Sequence, residues 1–164
     1  VLLFILSAGP ACTPLASGGA AQFMATGIDG VASRQVIIAD RGHDLMIGQV
    51  LVLRQNNRTA LTAEVGQLHR SGQVRLRMDS AWHEGRALPF RRAVRSERFC
   101  TRPGQCRGYR TGTFVLSKDA FEAALTEGFT ATLVGPDAVV EVHFPPTIFI
   151  EARDRAVARG LWPV

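Results

Sequence analysis

The stretch MIGQVLVLRQNNRTALTAEVGQL, residues 46–68, decides which fold the sequence predicts. It contains two apolar-rich runs, 46–54 and 58–68, with Asn56 and Asn57 between them. Asparagine tolerates the left-handed backbone conformation that a tight hairpin turn requires. The stretch therefore predicts an antiparallel β-hairpin.

Further strands are expected on both sides of this hairpin. VIIAD (36–40) precedes it, and a turn at 70–72 follows it. Beyond that turn, Val74, Leu76 and Met78 alternate with charged residues. This is the period-2 pattern of a strand that has one face in water. We expect the first half of the chain to form an antiparallel meander.

The second half is expected to combine strands with two short helices. After a strand at 111–116, Ser117 offers an N-cap to an amphipathic helix that Gly128 can end. Residues 130–144 then predict a hairpin with Val140, Val142 and Phe144 on one side.

A closing helix is expected after Pro145 and Pro146. Thr147 could cap it, and Gly160 could end it. Residues 80–98, in contrast, show neither the period of a strand nor that of a helix, so no element is firmly predicted there.

Length and composition predict one folded domain. The chain has 164 residues, of which 46% are hydrophobic, which suffices for a core at this size. We expect residues 31–164 to form one mainly β, β-rich α+β domain. Its predicted architecture is an antiparallel sandwich or curved sheet with helices near 117–127 and 147–159.

The N-terminal segment resembles a bacterial lipoprotein signal. VLLFILSAG is an uncharged apolar run of signal-peptide length, and Ala11 and Cys12 match the small residue and the lipidated cysteine of a lipobox. We expect 1–11 to be a signal peptide with a truncated or misread start, and 12–30 to be a flexible tether. The alternative is cleavage after Ala21, which would discard Cys12.

The C-terminal third resembles a known family. Two close cysteines in FCTRPGQCRGYR are followed by a strand, a short helix ending in glycine, a hairpin, a proline and a last helix. From Cys100 to Ala156 this arrangement is similar to the C-terminal part of the invasion-associated locus B family of small exported bacterial proteins. The resemblance implies a secreted β-rich domain without an established chemistry.

The two cysteines of this stretch, Cys100 and Cys106, predict a disulfide. The chain has three cysteines, and a lipidated or removed Cys12 leaves an even two. Structural zinc is the weaker alternative, because it wants four ligands and the sequence offers no second cysteine pair and no paired histidines. We expect no metal and no cofactor.

Arginines are dense between Arg86 and Arg110, where the segment holds eight of them, and the chain carries a formal net charge of +5. One interpretation is a face that binds anionic groups. The other is a solvated loop and edge strand whose charges discourage strand pairing. The expected contributors to a binding face are Arg91, Arg92, Arg95, Arg102, Arg107 and Arg110.

Catalysis is not expected from the sequence. His43 is followed by Asp44 and His83 by Glu84, but neighbouring residues of a strand point to opposite faces, so neither pair makes a dyad by itself. No common nucleophile, metal-hydrolase or nucleotide-binding motif is present.

These features together predict an exported, lipid-anchored protein on the periplasmic side of a bacterial envelope. Its expected role is binding or scaffolding. The expected partners are the membrane, through the lipid, and an anionic envelope component or an acidic protein. The alternatives are a small exported hydrolase with a His/carboxylate site, or a module that binds nucleic acid or acidic glycans. Export disfavours nucleic acid.

Overall fold

The computed structural model describes residues 28–41, 44–68, 74–94, 98–102 and 105–163. The side chains at 44, 98, 100–102 and 105–107 are outside that description. The described chain contains eleven strands and two helices.

The strands run from Asp29 to Phe144. Their bounds are β1 Asp29–Ala32, β2 Val36–Arg41, β3 Asp44–Gln55, β4 Arg58–Leu68, β5 Ser80–His83, β6 Arg86–Leu88, β7 Phe90–Arg92, β8 Arg98–Arg102, β9 Gln105–Leu116, β10 Phe129–Val134 and β11 Val139–Phe144. The helices are α1 Lys118–Glu127 and α2 Pro146–Ala158.

The larger sheet has seven strands and is built on the long β3–β4 hairpin. At its turn Asn56 and Asn57 have φ values of 49° and 62°, the left-handed conformation that a two-residue hairpin requires. β4 pairs on its other side with β9. β1 and β2 both pair with β3 at one edge, and β7 and β8 both pair with β9 at the other. The predicted hairpin is therefore confirmed and forms the centre of this sheet.

The smaller sheet has four strands in the order β11-β10-β5-β6, and all its pairs are antiparallel. The hairpin predicted at 130–144 is β10–β11, with Val140, Val142 and Phe144 buried on one side as expected. Phenylalanines join the two sheets. The Phe114 ring of β9 lies 5.8 Å from the Phe129 ring and 5.7 Å from the Phe144 ring, measured between centroids.

Both predicted helices are present. Ser117 caps α1, since its hydroxyl accepts a hydrogen bond from the Ala120 N–H at 3.1 Å. α2 ends at Ala158, and Gly160, the expected terminating glycine, follows two residues later with φ 65°. There the Gly160 and Leu161 N–H groups donate to the Val157 and Ala156 carbonyls, the pattern of a Schellman motif.

Thr147 does not cap α2, and that prediction is wrong. The helix begins earlier, with Pro145 at the N-cap and Pro146 in the first turn. Proline fits this position because its fixed φ is helical and its missing N–H would have no partner within the helix.

One large apolar core contains residues of both sheets and both helices. Phe121 of α1 and Phe149 of α2 pack edge to face within it, 5.2 Å apart. The β-rich α+β class with antiparallel sheets and two helices is thus the observed fold.

The strand predicted for 74–79 is not formed. Met78 is fully buried, but Val74 is 80% exposed, so the expected alternation fails at its first member. The segment 80–92, where no element was predicted, contains β5, β6 and β7. The β5–β6 turn places Glu84 and Gly85 at φ 47° and 74°. A glutamate in the left-handed conformation is uncommon, which explains why this turn was not recognised.

Candidate functional site

A groove of about 530 Å³ lies beside β9, between the extended segment 74–79 and the residues at the end of β7. Three separate parts of the chain line it. The lining residues are Arg75, Leu76, Arg77, Met78, Arg92, Ala93, Val94, Arg110 and Thr111. Four arginines therefore converge on one concavity.

Gln67 of β4 holds the start of the extended segment in place. Its side chain is 2% exposed. Its amide nitrogen donates to the Val74 carbonyl at 3.2 Å, and its amide oxygen accepts from the Leu76 N–H at 2.8 Å. The buried amide thus supplies the hydrogen bonds that a neighbouring strand would supply.

β10 holds the other end of the segment. The Asp79 N–H donates to the Val134 carbonyl at 2.8 Å. A Cβ atom on Gly135 would lie only 1.8 Å from the Arg77 carbonyl oxygen, so this close approach requires glycine. The segment is therefore fixed at both ends, and its arginines are carried on an ordered backbone.

Arg75 connects the three segments that line the groove by hydrogen bonds. Its Nη2 donates to the Val94 carbonyl at 3.1 Å and to the Arg110 carbonyl at 3.0 Å. Its Cζ lies 4.9 Å from the centre of the Tyr109 ring, within the range of a cation–π contact. These contacts use the guanidinium to join the three segments.

Arg110 neutralises a buried carboxylate. It forms an ion pair with Glu64 of β4, which is 4% exposed and also accepts a hydrogen bond from the Gln49 side-chain amide. A buried carboxylate needs such partners because burial without them is costly. The Arg110 charge is therefore largely matched by Glu64.

Arg77 and Arg92 share one carboxylate at the groove. Arg77 Nε and Arg92 Nη1 donate to Oδ1 of Asp79, at 3.0 Å and 2.8 Å respectively. The hydrogen bond from Arg77 lowers the pKa of Asp79 below its ordinary value, and the bond from Arg92 adds to this effect. The two guanidinium groups thus already bind an anionic group supplied by the chain itself.

The structure brings two of the expected binding residues, Arg92 and Arg110, to the groove. Arg91 is exposed on β7 next to Arg92 but is not among the lining residues. Arg95 lies outside the described residues, and so do the side chains of Arg102 and Arg107.

Sequence reasoning missed Arg75 and Arg77. Their alternation with Leu76 and Met78 suggested only the wet face of a strand. The segment is short and lies outside 86–110, the stretch in which the sequence analysis placed the binding face.

Only one of the two histidine–carboxylate pairs, His83 and Glu84, has described side chains. His43 and the Asp44 side chain lie outside the described residues. His83 Nδ1 hydrogen bonds to the Thr130 carbonyl at 2.7 Å, and His83 Nε2 lies 4.0 Å from Glu84 Oε2. Two neighbouring residues approach each other here because the positive φ of Glu84 turns the chain.

Only the backbones of Cys100 and Cys106 are described, not their side chains. Cys12 lies outside the described residues. Cys100 of β8 and Cys106 of β9 are directly opposite each other in the antiparallel register. The register shifts on both sides of Cys100. In a regular antiparallel ladder, opposed residues have Cα separations of about 4.5–5.5 Å, which a disulfide can span.

In the described part of the chain, no three His, Cys, Asp or Glu side chains lie in an arrangement that could hold a metal ion. Among the same residues, no helix is both long enough and apolar enough to span a bilayer.

Comparison with known protein families, with characterised proteins and with solved structures finds no match to this chain.

Proposed function

We propose that this chain binds an anionic component of the bacterial envelope, without catalysis, through the groove between 74–79 and β9. The observation that carries the proposal is the convergence of Arg75, Arg77, Arg92 and Arg110 on one concavity. Arginine suits this role because its planar guanidinium binds carboxylate and phosphate oxygens with two parallel N–H groups.

The four arginines divide into two pairs with different roles. Arg75 and Arg110 bind backbone carbonyls and Glu64, so they hold the site together. Arg77 and Arg92 line the groove, are 59% and 49% exposed, and contact Asp79, which lies beside the lining residues. Their guanidinium groups carry five N–H donors each, and the bonds to Asp79 use one on each. Arg77 and Arg92 are therefore the residues that receive the ligand's anionic group.

The proposal includes export and tethering through a lipid on Cys12. It is supported by the apolar run before Ala11 and Cys12 and by the small, turn-prone residues 13–30, which suit a tether. Labelling of cells with a palmitate analogue tests the anchor. Wild type should be labelled and Cys12→Ser should not, whereas equal labelling would exclude lipidation at this residue.

Retention on a phosphate-bearing matrix tests the binding role. Replacing both Arg77 and Arg92 by Ser should weaken retention at least about tenfold, because each removes charge-assisted hydrogen bonds to the anion. Wild-type retention should also fall steeply with salt, since exposed charges are screened within about 10 Å at 0.1 M.

The matched control is the double change Arg58→Ser and Arg86→Ser. It removes the same charge from exposed residues that do not line the groove. If the control weakens retention as much as the groove variant does, binding depends on net charge, and the groove is not the site.

A further inference from the structure

The groove has an apolar lining between its arginines. Leu76 is half-buried, Ala93 is 7% exposed, and Val94 is 59% exposed beside the groove. Met78 is fully buried in the core beneath the groove and exposes no surface to it. The hydrocarbon stems of the arginines add more apolar surface. A site for a small hydrated anion has no need of such a lining.

Both arginines are chain neighbours of apolar residues that line the same groove. Arg77 lies between Leu76 and Met78 in the sequence, and Arg92 precedes Ala93 and Val94. Asp79 holds both guanidinium groups at one place, with a single oxygen accepting from both. A ligand that places its anionic group there would have its remaining atoms against the apolar residues.

The size of the groove fits an organic ligand. A volume of about 530 Å³ is within the range of about 300–1,000 Å³ that is typical of small-molecule sites. It is far more than one phosphate ion occupies. The site is therefore large enough for an anionic group together with a hydrocarbon segment.

We propose that the groove binds a single anionic amphiphile, whose anionic head group displaces Asp79 from Arg77 and Arg92 and whose hydrocarbon chain covers Leu76, Ala93 and Val94. The inference rests on the proposed anion-binding function and specifies its ligand class. An anionic lipid and a free alkyl carboxylate or phosphate share this chemistry.

Calorimetry with butyl, hexyl, octyl and decyl phosphate, each below its micelle concentration, tests the inference on the full chain. Affinity should rise about twofold to fourfold for each added methylene, as expected for partial to full burial of apolar surface. Decyl maltoside, which is uncharged, should bind at least about tenfold more weakly than decyl phosphate because it cannot use charge-assisted bonds.

Substitutions at two equally exposed valines test where the hydrocarbon chain of the ligand binds. Val94→Asn should weaken decyl phosphate binding by about threefold or more and leave butyl phosphate nearly unchanged. Val139→Asn is the control, because Val139 is also 59% exposed but lies on β11, away from the groove. Val139→Asn should leave the affinities for decyl phosphate and for butyl phosphate unchanged.

Asp79→Asn tests whether the head group replaces the carboxylate. The variant removes the competing internal anion, so decyl phosphate affinity should increase by at least about threefold. A decrease would mean that Asp79 is needed to position the arginines, and would overturn the displacement.

The remaining outcomes separate this inference from the proposed function. Equal affinity for inorganic phosphate and all four alkyl phosphates, lost in Arg77→Ser/Arg92→Ser, would keep the anion site and overturn the amphiphile. Binding to phosphatidylglycerol vesicles without any chain-length dependence for the monomers would indicate recognition of a membrane surface and would also overturn it. Absence of binding to every anionic probe would overturn both.

Discussion

Asp79 reduces the net positive charge at Arg77 and Arg92 when no ligand is bound. Its carboxylate lies between Arg77 and Arg92 and offsets part of their charge. Since its pKa is lowered, the carboxyl stays ionised through the neutral and mildly acidic range. The stabilisation from its two bonds is present above the pKa of the unfolded chain and is lost as the pH falls through the lower folded pKa. The side chain is exposed, so this contribution to stability is small.

A carboxyl titration followed by NMR checks this electrostatic arrangement. The Asp79 side-chain carbon should titrate below the ordinary aspartate range in wild type and move back toward it in Arg77→Ser, which removes the leading cause of the shift. Arg86→Ser is the control, since Arg86 is exposed on β6 and does not line the groove. An ordinary pKa in wild type would contradict the observed contacts.

Only two of the four arginines of the groove could be predicted from the sequence. Arg92 and Arg110 could be predicted because they belong to a dense arginine segment. Arg75 and Arg77 could not, because their position depends on the side chain of Gln67, a residue of β4 that nothing in its neighbourhood marks as buried.

The β8–β9 hairpin is the element in which we predict a disulfide. The backbones of Cys100 and Cys106 are opposite each other in its register, and we predict that the two residues form a disulfide in the exported protein. The ring of seven residues would constrain the unfolded chain, so Cys100→Ser with Cys106→Ser should lower the free energy of unfolding by about 2 kcal/mol.

Thiol counting and denaturation check the disulfide in a Cys12→Ser background, which leaves only these two cysteines. Exported protein should have no free thiol, and a reductant should destabilise it but should not affect the variant that lacks Cys100 and Cys106. Two reactive thiols without reductant would rule the disulfide out.

Local patterns predicted some elements and missed others for identifiable reasons. The β3–β4 hairpin and α1 follow from Asn56, Asn57 and Ser117, whose turn and capping chemistry is local. β5, β6 and β7 are only three or four residues long, too short for a period to be recognised. Their pairing partners are distant in sequence, so tertiary contacts and not local propensity establish them.

The groove is a product of pairing between strands that are distant in the sequence. β4 pairs with β9, which brings Gly66 opposite Arg110, and Asp79 binds the backbone of Val134. These contacts join parts of the chain that no local sequence pattern relates. The fold class could be predicted from alternation and turns, but the convergence of the arginines could not.

Backbone amide and arginine side-chain NMR with decyl phosphate tests most directly whether this groove is the binding site. Shift changes should concentrate at 75–79, 92–94 and 110–111, and they should diminish with added salt. Changes centred instead on the exposed face of the smaller sheet around Trp82 and His143, or spread evenly over the exposed arginines, would contradict the claim that this groove is the binding site.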